Sequence, residues 1–323
     1  MAEKCLVIGL GQIGMGYDLE HDPSVAVYSH ARAISLHSDF ELVGGVDSSL
    51  LQRSTFEKHY ASPAFDSISE ALLQLQPSVV IIASPSESHA AVLDEVLSQA
   101  KPKIILCEKP LAYDLADASK MVDACDSSGV SLYVNYPRRA DPGVIEVKRR
   151  IENNEISAPI KSVVWYSKGF LNNGSHFFNL IEFWLGNFIR FNLIDAGRLW
   201  DKVDPEPDVV VEFERGTVTF ISAWEEAFSH YTLELLSQSG RLRYEQGGVS
   251  IAWQSVQSDP NFSGYKILNA EPEMIANGMN RYQWHVFDQL AASLADKHNT
   301  LCTGRQALAT LEDMHEIIKE RSL

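Results

Sequence analysis

Basic residues are scarce in this chain. Its 27 lysines and arginines face 43 aspartates and glutamates, for a formal charge of −16, and a surface of that sign repels nucleic acid and anionic membranes alike. The one basic cluster, Lys148-Arg149-Arg150, is short and falls at the end of a predicted helix. Cysteine is scarcer still. Cys5, Cys107, Cys125 and Cys302 are scattered, with no Cys-x-x-Cys pair and no histidine at metal-ligand spacing, which excludes a disulfide framework and leaves no metal site to expect. Each reads as a small buried hydrophobe. Long apolar runs are missing as well. The longest, around residues 79–83 and 104–107, fall far short of the ~20 residues that cross a bilayer. The chain starts on a strand-like Cys5-Leu6-Val7-Ile8-Gly9 rather than a secretory leader. The expectation is a cytoplasmic protein with neither nucleic acid nor membrane as a partner.

What is present is ordinary globular material: 45% hydrophobic and 22% charged residues in 323 positions, a length that at roughly 150 residues per domain suggests two domains. Up to residue 136 the pattern alternates. Short β-rich runs at 4–9, 40–46, 78–83, 103–107 and 130–136 are separated by helical patterns at 24–36, 50–60, 68–75, 87–99 and 115–127. Continuous apolar strands alternating with helices predict a doubly wound α/β (Rossmann-type) parallel sheet covered on both faces. Asp114 stands where a helix N-cap belongs and Gly129 where a C-cap belongs. From 137 to 323 the pattern changes to a helix at 142–153, then alternating strands at 161–170, 190–199, 208–213, 217–224, 231–237, 241–245 and 249–256, with helices at 176–185, 282–295 and 305–319. Arg215-Gly216 and Gln246-Gly247-Gly248 read as hairpin turns, so the second domain is predicted to be α+β with a large, mostly antiparallel open sheet.

The first strand runs into Gly9-Leu10-Gly11-Gln12-Ile13-Gly14, a G-x-G-x-x-G turn whose glycines permit a close backbone approach to a pyrophosphate. The second strand ends in Asp47, where a carboxylate can bond the ribose hydroxyls of an adenosine and repel a 2′-phosphate, favouring NAD over NADP. Asp47 follows Gly14 by 33 positions rather than the ~20 of a minimal unit. The excess falls in the polar segment from Gly16 to Pro23, which is either a tolerated surface insertion or a lid or substrate-contact loop near the cofactor. A third strand ends in Ala83-Ser84-Pro85, with His89 in the next helix, and a fourth ends in Glu108-Lys109-Pro110. Polar groups at such strand ends face the ligand crevice of an open α/β sheet. A lysine there can act as acid or base, its pKa lowered beside an oxidised nicotinamide.

Together Gly9–Gly14, Asp47, Ser84-Pro85 with His89, and Glu108-Lys109-Pro110 resemble the Gfo/Idh/MocA oxidoreductase family. The resemblance continues through Asn135-Tyr136-Pro137-Arg138-Arg139, and through Asn172-Asn173-Gly174-Ser175-His176-Phe177-Phe178-Asn179, which is similar to that family's Asp-x-Gly-x-His-x-x-Asp block. It implies a Rossmann domain joined to an open-sheet domain that builds a homodimer or homotetramer. It implies Lys109 and His176 as active-site residues, with Gly9, Gly11, Gln12, Ile13, Gly14, Asp47, Ser84, Pro85, His89, Glu108 and Lys109 around NAD. Tyr136, Arg139, Asn172 and Asn179 are candidates for orienting a sugar-like substrate. Asn172 and Asn179 depart from the family, because an amide holds a hydroxyl but relays no proton as a carboxylate can. The expected activity is hydride transfer between NAD and a secondary alcohol of a sugar, cyclitol or sugar derivative, a nucleotide sugar or sugar acid included. The alternatives are an enzyme with tightly held NAD performing internal redox or redox-assisted elimination, and a non-catalytic dinucleotide-binding regulator.

Several features read as structure. Phe177, Phe178, Phe183 and Trp184 suit the buried face of a helix, and the segment Asp204-Pro205-Glu206-Pro207-Asp208 reads as an acidic loop. Arg241 and Arg243 read as solvated or interfacial, and Tyr282, Trp284 and His285 as either cleft-lining or packed. Trp165, Phe213, Phe220 and Trp224 are expected to cover the open sheet face in an oligomer.

Overall fold

Four consecutive apolar residues, Val79–Ile82, form a strand whose every side chain is buried, as a strand covered on both faces must be. In the computed structural model, which describes residues 2–224 and 227–320, this is β4 at the centre of the first sheet. Its neighbours are β1 (Glu3–Ile8), β2 (Phe40–Val46), β3 (Ala64–Phe65), β5 (Ile104–Glu108) and β6 (Ser131–Asn135), in the order β6-β5-β4-β1-β2-β3. All pair in parallel, and a two-residue strand, Cys302–Thr303, adds an antiparallel edge beside β6. The crossovers are α1 (His30–Leu36), α2 (Leu50–Tyr60), α3 (Ile68–Leu75), α4 (His89–Gln99) and α5 (Leu115–Ser128). Their ends follow local chemistry. Ser49 and Ser67 cap α2 and α3, Asp114 accepts from Ala116 N and Asp117 N at the start of α5, and Gly129 ends that helix in the left-handed region. All four cysteines are buried, and none forms a disulfide.

The sheet of the second unit runs through β7 (Ile160–Tyr166), β8 (Phe188–Asp195), β11 (Asp208–Phe213), β12 (Gly216–Ser222), β13 (Thr232–Ser237), β14 (Gly240–Glu245) and β15 (Ser250–Ser258) in the order β15-β14-β13-β7-β12-β11-β8. A small separate ribbon joins β9 (Leu199–Trp200) to β10 (Asp204–Pro205). Every main-sheet pair along that order is antiparallel except β7 with β12. The helices α6 (Pro142–Glu152) and α7 (Ser175–Leu185) cover one face. Phe178 of α7 packs against Phe213 and Phe220 at 5.6 and 5.5 Å between ring centroids. Phe177, Phe178, Phe183 and Trp184 are buried as their spacing predicts.

Two compact units result. One holds the residues up to Ala140 together with Asn280–Ala309, the other Asp141–Met279 and the residues from Thr310 onward. The helix Tyr282–Leu294 joins the first unit because Val286, Phe287 and Leu290 complete its apolar core. Three expectations are corrected. The helix predicted from residue 24 begins at His30. The strand predicted to reach Phe170 ends at Tyr166, because Lys168 and Gly169 take positive φ and open a π-helical turn, Gly169–Gly174. Phe213 and Phe220 lie in the core rather than on the open face, where Trp165 is exposed. Alternation along a strand separates two faces without saying which one is covered.

Candidate functional site

In the first unit the glycine turn is held by backbone crowding. A Cβ at Gly14 would lie 2.0 Å from Gly9 O, and one at Gly9, whose φ is +97°, would strike Ala83 and Ser84 at 2.5 Å. A Cβ at Gly11 would meet nothing within 4 Å, so the turn is tight below and open above, as a pyrophosphate cradle requires. Asp47 joins it from the end of β2. Its Oδ2 accepts from Leu10 N and its Oδ1 from Ser49 N, both at 2.8 Å. The guanidinium of Arg53 lies beside it, donating to Asp47 O and Ser48 O at 2.8 and 3.0 Å.

The long spacing between Gly14 and Asp47 has a structural cause. His30 N donates to Ile13 O and Ala31 N to Gly14 O, at 3.0 and 2.9 Å. The first turn of α1 therefore stacks on the glycine turn, and residues 15–29 are an excursion spliced between them. With that excursion left out, the spacing returns to the ~20 of a minimal unit. The excursion is tied down. Buried Asp18 accepts from Tyr28 N, Ser29 N and Ser29 Oγ, and Arg32 reaches Asp18 and His21 O. Arg281, Asn280 and Tyr282 bond its carbonyls at Pro23, Ser24, Val25 and Tyr28.

The ends of β4, β5 and β6 carry the remaining predicted groups of this unit. Ser84 Oγ accepts from Ser88 Oγ at 2.7 Å, and Pro85 is exposed. His89 is fully buried, and its ring nitrogens face Ser84 O, Pro110 O and Leu111 O at 3.0–3.1 Å. It thus ties the end of β4 to the segment after Lys109. Glu108 and Lys109 are half-buried at the end of β5. Glu108 Oε1 lies 2.8 Å from Nε2 of fully buried His30 and accepts from Asn135 Nδ2 at 2.6 Å; Asn135 in turn donates to Gln283 Oε1 at 3.2 Å. A carboxylate only accepts, so His30 Nε2 carries the hydrogen. Burial pushes the Glu108 carboxyl up, but His30, Asn135 and Lys109 outweigh it and hold it below its ordinary value. Tyr136 is buried, and buried Arg139 donates from Nη1 to Gln306 at 3.2 Å.

In the second unit the π-turn delivers Asn172 and the start of α7 delivers His176. Along α7 every residue is buried except the half-buried His176 and Glu182. Asn172 is half-buried and donates from Nδ2 to Lys168 O at 3.1 Å. Asn179 is buried and donates to Thr310 Oγ1 at 3.1 Å, which places its amide nitrogen in packing between helices. Asp204 and Glu206 are buried beneath the π-turn rather than lying in a plain acidic loop.

Sequence reasoning missed His30, Gln283 and the pair Asp204 and Glu206. His30 was hidden by the excursion before it. The available signal for the acids was alternation: Asp204, Glu206 and Asp208 are separated by prolines, which hold the segment extended and put the three carboxylates on one side. Among the described residues no group of three or more His, Cys, Asp or Glu could hold a metal ion, and no helix is long and apolar enough to cross a membrane.

Residues 4–136 match the Gfo/Idh/MocA oxidoreductase family, described as having an NAD-binding Rossmann fold. Myo-inositol 2-dehydrogenase from Thermotoga maritima is 26% identical over 261 residues, 73% of each chain. The chain spans less than half the length of the first curated relatives it matches. Among solved structures, a putative NADPH-dependent oxidoreductase from Desulfitobacterium hafniense superposes with a TM-score of 0.81 at 16% identity, covering 99% of this chain and 95% of the other. The WlbA dehydrogenase from Bordetella pertussis, in complex with NADH and UDP-GlcNAcA, gives 0.77 at 19% identity, covering 99% and 97%. At those identities the structures share the fold.

Proposed function

Proceeding from residues 4–136 as an NAD-binding domain of the Gfo/Idh/MocA family, we propose that the protein is an NAD-dependent dehydrogenase or reductase acting on a CH–OH group of a sugar, cyclitol or sugar derivative. The observation that carries this reading is the carboxyl edge of the first sheet. There the glycine turn, Asp47, Ser84 and the Glu108-Lys109 pair end successive parallel strands, the edge at which open α/β sheets bind ligands. The open space above Gly11 and the acceptor at Asp47 fit a dinucleotide. Gly9, Gly11, Gln12, Ile13 and Gly14 would hold its pyrophosphate and Asp47 its adenosine ribose. Bound NAD supplies the hydride acceptor or donor; the chain supplies position and proton management.

Lys109 is assigned the proton of the substrate hydroxyl, released to its Nζ on oxidation and returned on reduction. Glu108 is fixed by His30 and Asn135, so the backbone leading into Lys109 is anchored on both sides. His89 anchors the segment that follows. His176 is assigned a hydrogen bond to the reacting oxygen, and Asn172 and Tyr136 neighbouring hydroxyls. Arg139 and Asn179 are assigned supporting roles at the substrate, consistent with their bonds to Gln306 and Thr310. The names of the relatives, an inositol dehydrogenase and an enzyme seen with a nucleotide sugar acid, support the polyol class. The open sheet face, with Val163 and Trp165 exposed on β7, is assigned to a second copy of the chain.

The test is a mutant cycle on whichever polyol turns over. Lys109→Ala and His176→Ala should each lower turnover by roughly 10²–10⁴, with NADH binding retained. The double mutant should lose less than the product of the two. Near-native turnover in Lys109→Ala overturns the assignment.

A further inference from the structure

The π-turn that presents Asn172 and leads into His176 is held from below by two carboxylates. Asp204 Oδ1 accepts from Leu171 N at 3.0 Å and its Oδ2 from Asn172 N at 2.8 Å, while Glu206 Oε1 accepts from Gly169 N at 3.1 Å. The fit is close. A Cβ at Gly169 would lie 2.1 Å from Asp204 Oδ2, so only glycine admits the carboxylate. Glu206 is fully buried and is neutralised by Arg198 Nε at 2.8 Å. Asp204 is buried too, and its partners are neutral N–H groups. The two acids therefore differ: Glu206 has a cation, and Asp204 depends on the turn itself.

We propose that Asp204 is a positioning residue for the Asn172–His176 segment: its ionised carboxylate gathers the N–H groups of the turn, and its protonation releases them. The role assigned to Asn172 and His176 rests on the oxidoreductase reading above; the clamp itself does not. Burial raises the Asp204 carboxyl to about 6, the charge of Glu206 pushing the same way and the N–H groups of Leu171, Asn172 and Phe170 pulling against both. Other titratable or charged groups around the clamp are the Tyr166 phenol on β7, which donates to Pro207 O, Asp208, Arg198, and Lys168 and His176 on either side of the turn. The sign matters. A carboxyl whose folded pKa is raised takes up its proton more readily in the folded protein than in the unfolded chain, so this group does not destabilise the fold as pH falls from 7 towards 5. What it loses is acceptor strength at one turn, which makes the effect local.

The experiment is hydrogen exchange across pH 5–8, corrected for intrinsic rates, on the peptide covering residues 168–176, with a peptide from α5 as the control. In the wild type, protection of the turn should fall roughly 10-fold or more on acidification, with its midpoint near the raised value of about 6. The control peptide should stay flat. Asp204→Asn should show low protection that no longer depends on pH, and Glu206→Gln should keep the pH dependence. A turn whose protection is flat in the wild type, or unchanged in Asp204→Asn, overturns the proposal. If the variant does not fold, the wild-type profile decides alone. Because exchange needs no substrate, a flat profile refutes the clamp without touching the oxidoreductase reading. An enzyme lacking activity yet showing the titrating turn does the reverse.

Discussion

Replacing Asp47 by alanine tests the cofactor assignment at its most exposed point. The half-buried carboxylate already accepts Leu10 N and Ser49 N at 2.8 Å each, and its remaining lone pairs are free for ribose hydroxyls. Two such charge-assisted bonds, at about 1.5 kcal/mol each for a partly solvated group, amount to about 3 kcal/mol, or ~100-fold in NADH affinity. In the native protein the same carboxylate opposes a 2′-phosphate by about 2 kcal/mol at ~5 Å and a dielectric between surface protein and water. Alanine removes that repulsion, and Arg53, held at Asp47 O and Ser48 O with Asp66 3.7 Å away, is then the nearest cation for the phosphate. The two add to about 5 kcal/mol, so the NADH-over-NADPH preference should narrow by roughly 10³–10⁴. Raising salt should shrink the native preference as well, since the group is partly exposed. Fluorescence titration of both reduced cofactors against wild type and Asp47→Ala reads the change directly. An unaltered preference in the variant, or tighter NADPH binding by the native protein, refutes the reasoning.

Gly11→Ala should fold with a near-native melting temperature and bind NADH poorly, since its Cβ meets no protein atom within 4 Å. Gly14→Ala should unfold earlier, by the ~1–3 kcal/mol typical of overpacking, because its Cβ lands 2.0 Å from Gly9 O; equal melting temperatures for the two contradict this. Glu108, held below its ordinary value by His30 against burial, contributes stability that is present above its unfolded value and lost as pH falls through the folded one. His30→Ala leaves burial less opposed, so the acid-unfolding midpoint should move to higher pH; an unchanged midpoint by circular dichroism counts against the pair. Trp165→Glu, on the exposed face of β7, should shift sedimentation from oligomer to monomer, and a wild-type monomer at micromolar concentration defeats the self-association proposal.

Local chemistry carried much of the fold. The helices α2 and α3 start at the predicted residues because Ser49 and Ser67 cap them from within the sequence, and they end at the predicted residues where Ala61 and Gln76 turn left-handed. The glycine turn and Asp47 were legible for the same reason, each lying at the end of an apolar strand. The failures share the opposite cause. Residues 24–29 hold no glycine or proline, so helical periodicity ran through them; the helix starts at His30 because Ser29 caps it, and Asp18 holds Tyr28 N, Ser29 N and Ser29 Oγ in place. Phe170 extended a strand pattern because it is apolar and buried, while the turn beneath it is set by Asp204, more than thirty positions away. Acids spaced by prolines look solvated when read in order. Alternation across the prolines hints at their shared side, and the backbone amides they bind, placed beside them, show why they are buried.

The measurement that bears most directly on the account follows the reduced-nicotinamide absorbance band while NAD, the purified protein and a panel of cyclitols, aldoses, sugar acids and nucleotide sugars are combined. The account predicts that at least one secondary alcohol drives the band up, and that the same substrate loses roughly 10²–10⁴ in turnover with Lys109→Ala while NADH affinity is unchanged. Tight NADH binding with no change in the band across the whole panel would contradict it, and would leave a dinucleotide-binding protein without the chemistry assigned to Lys109.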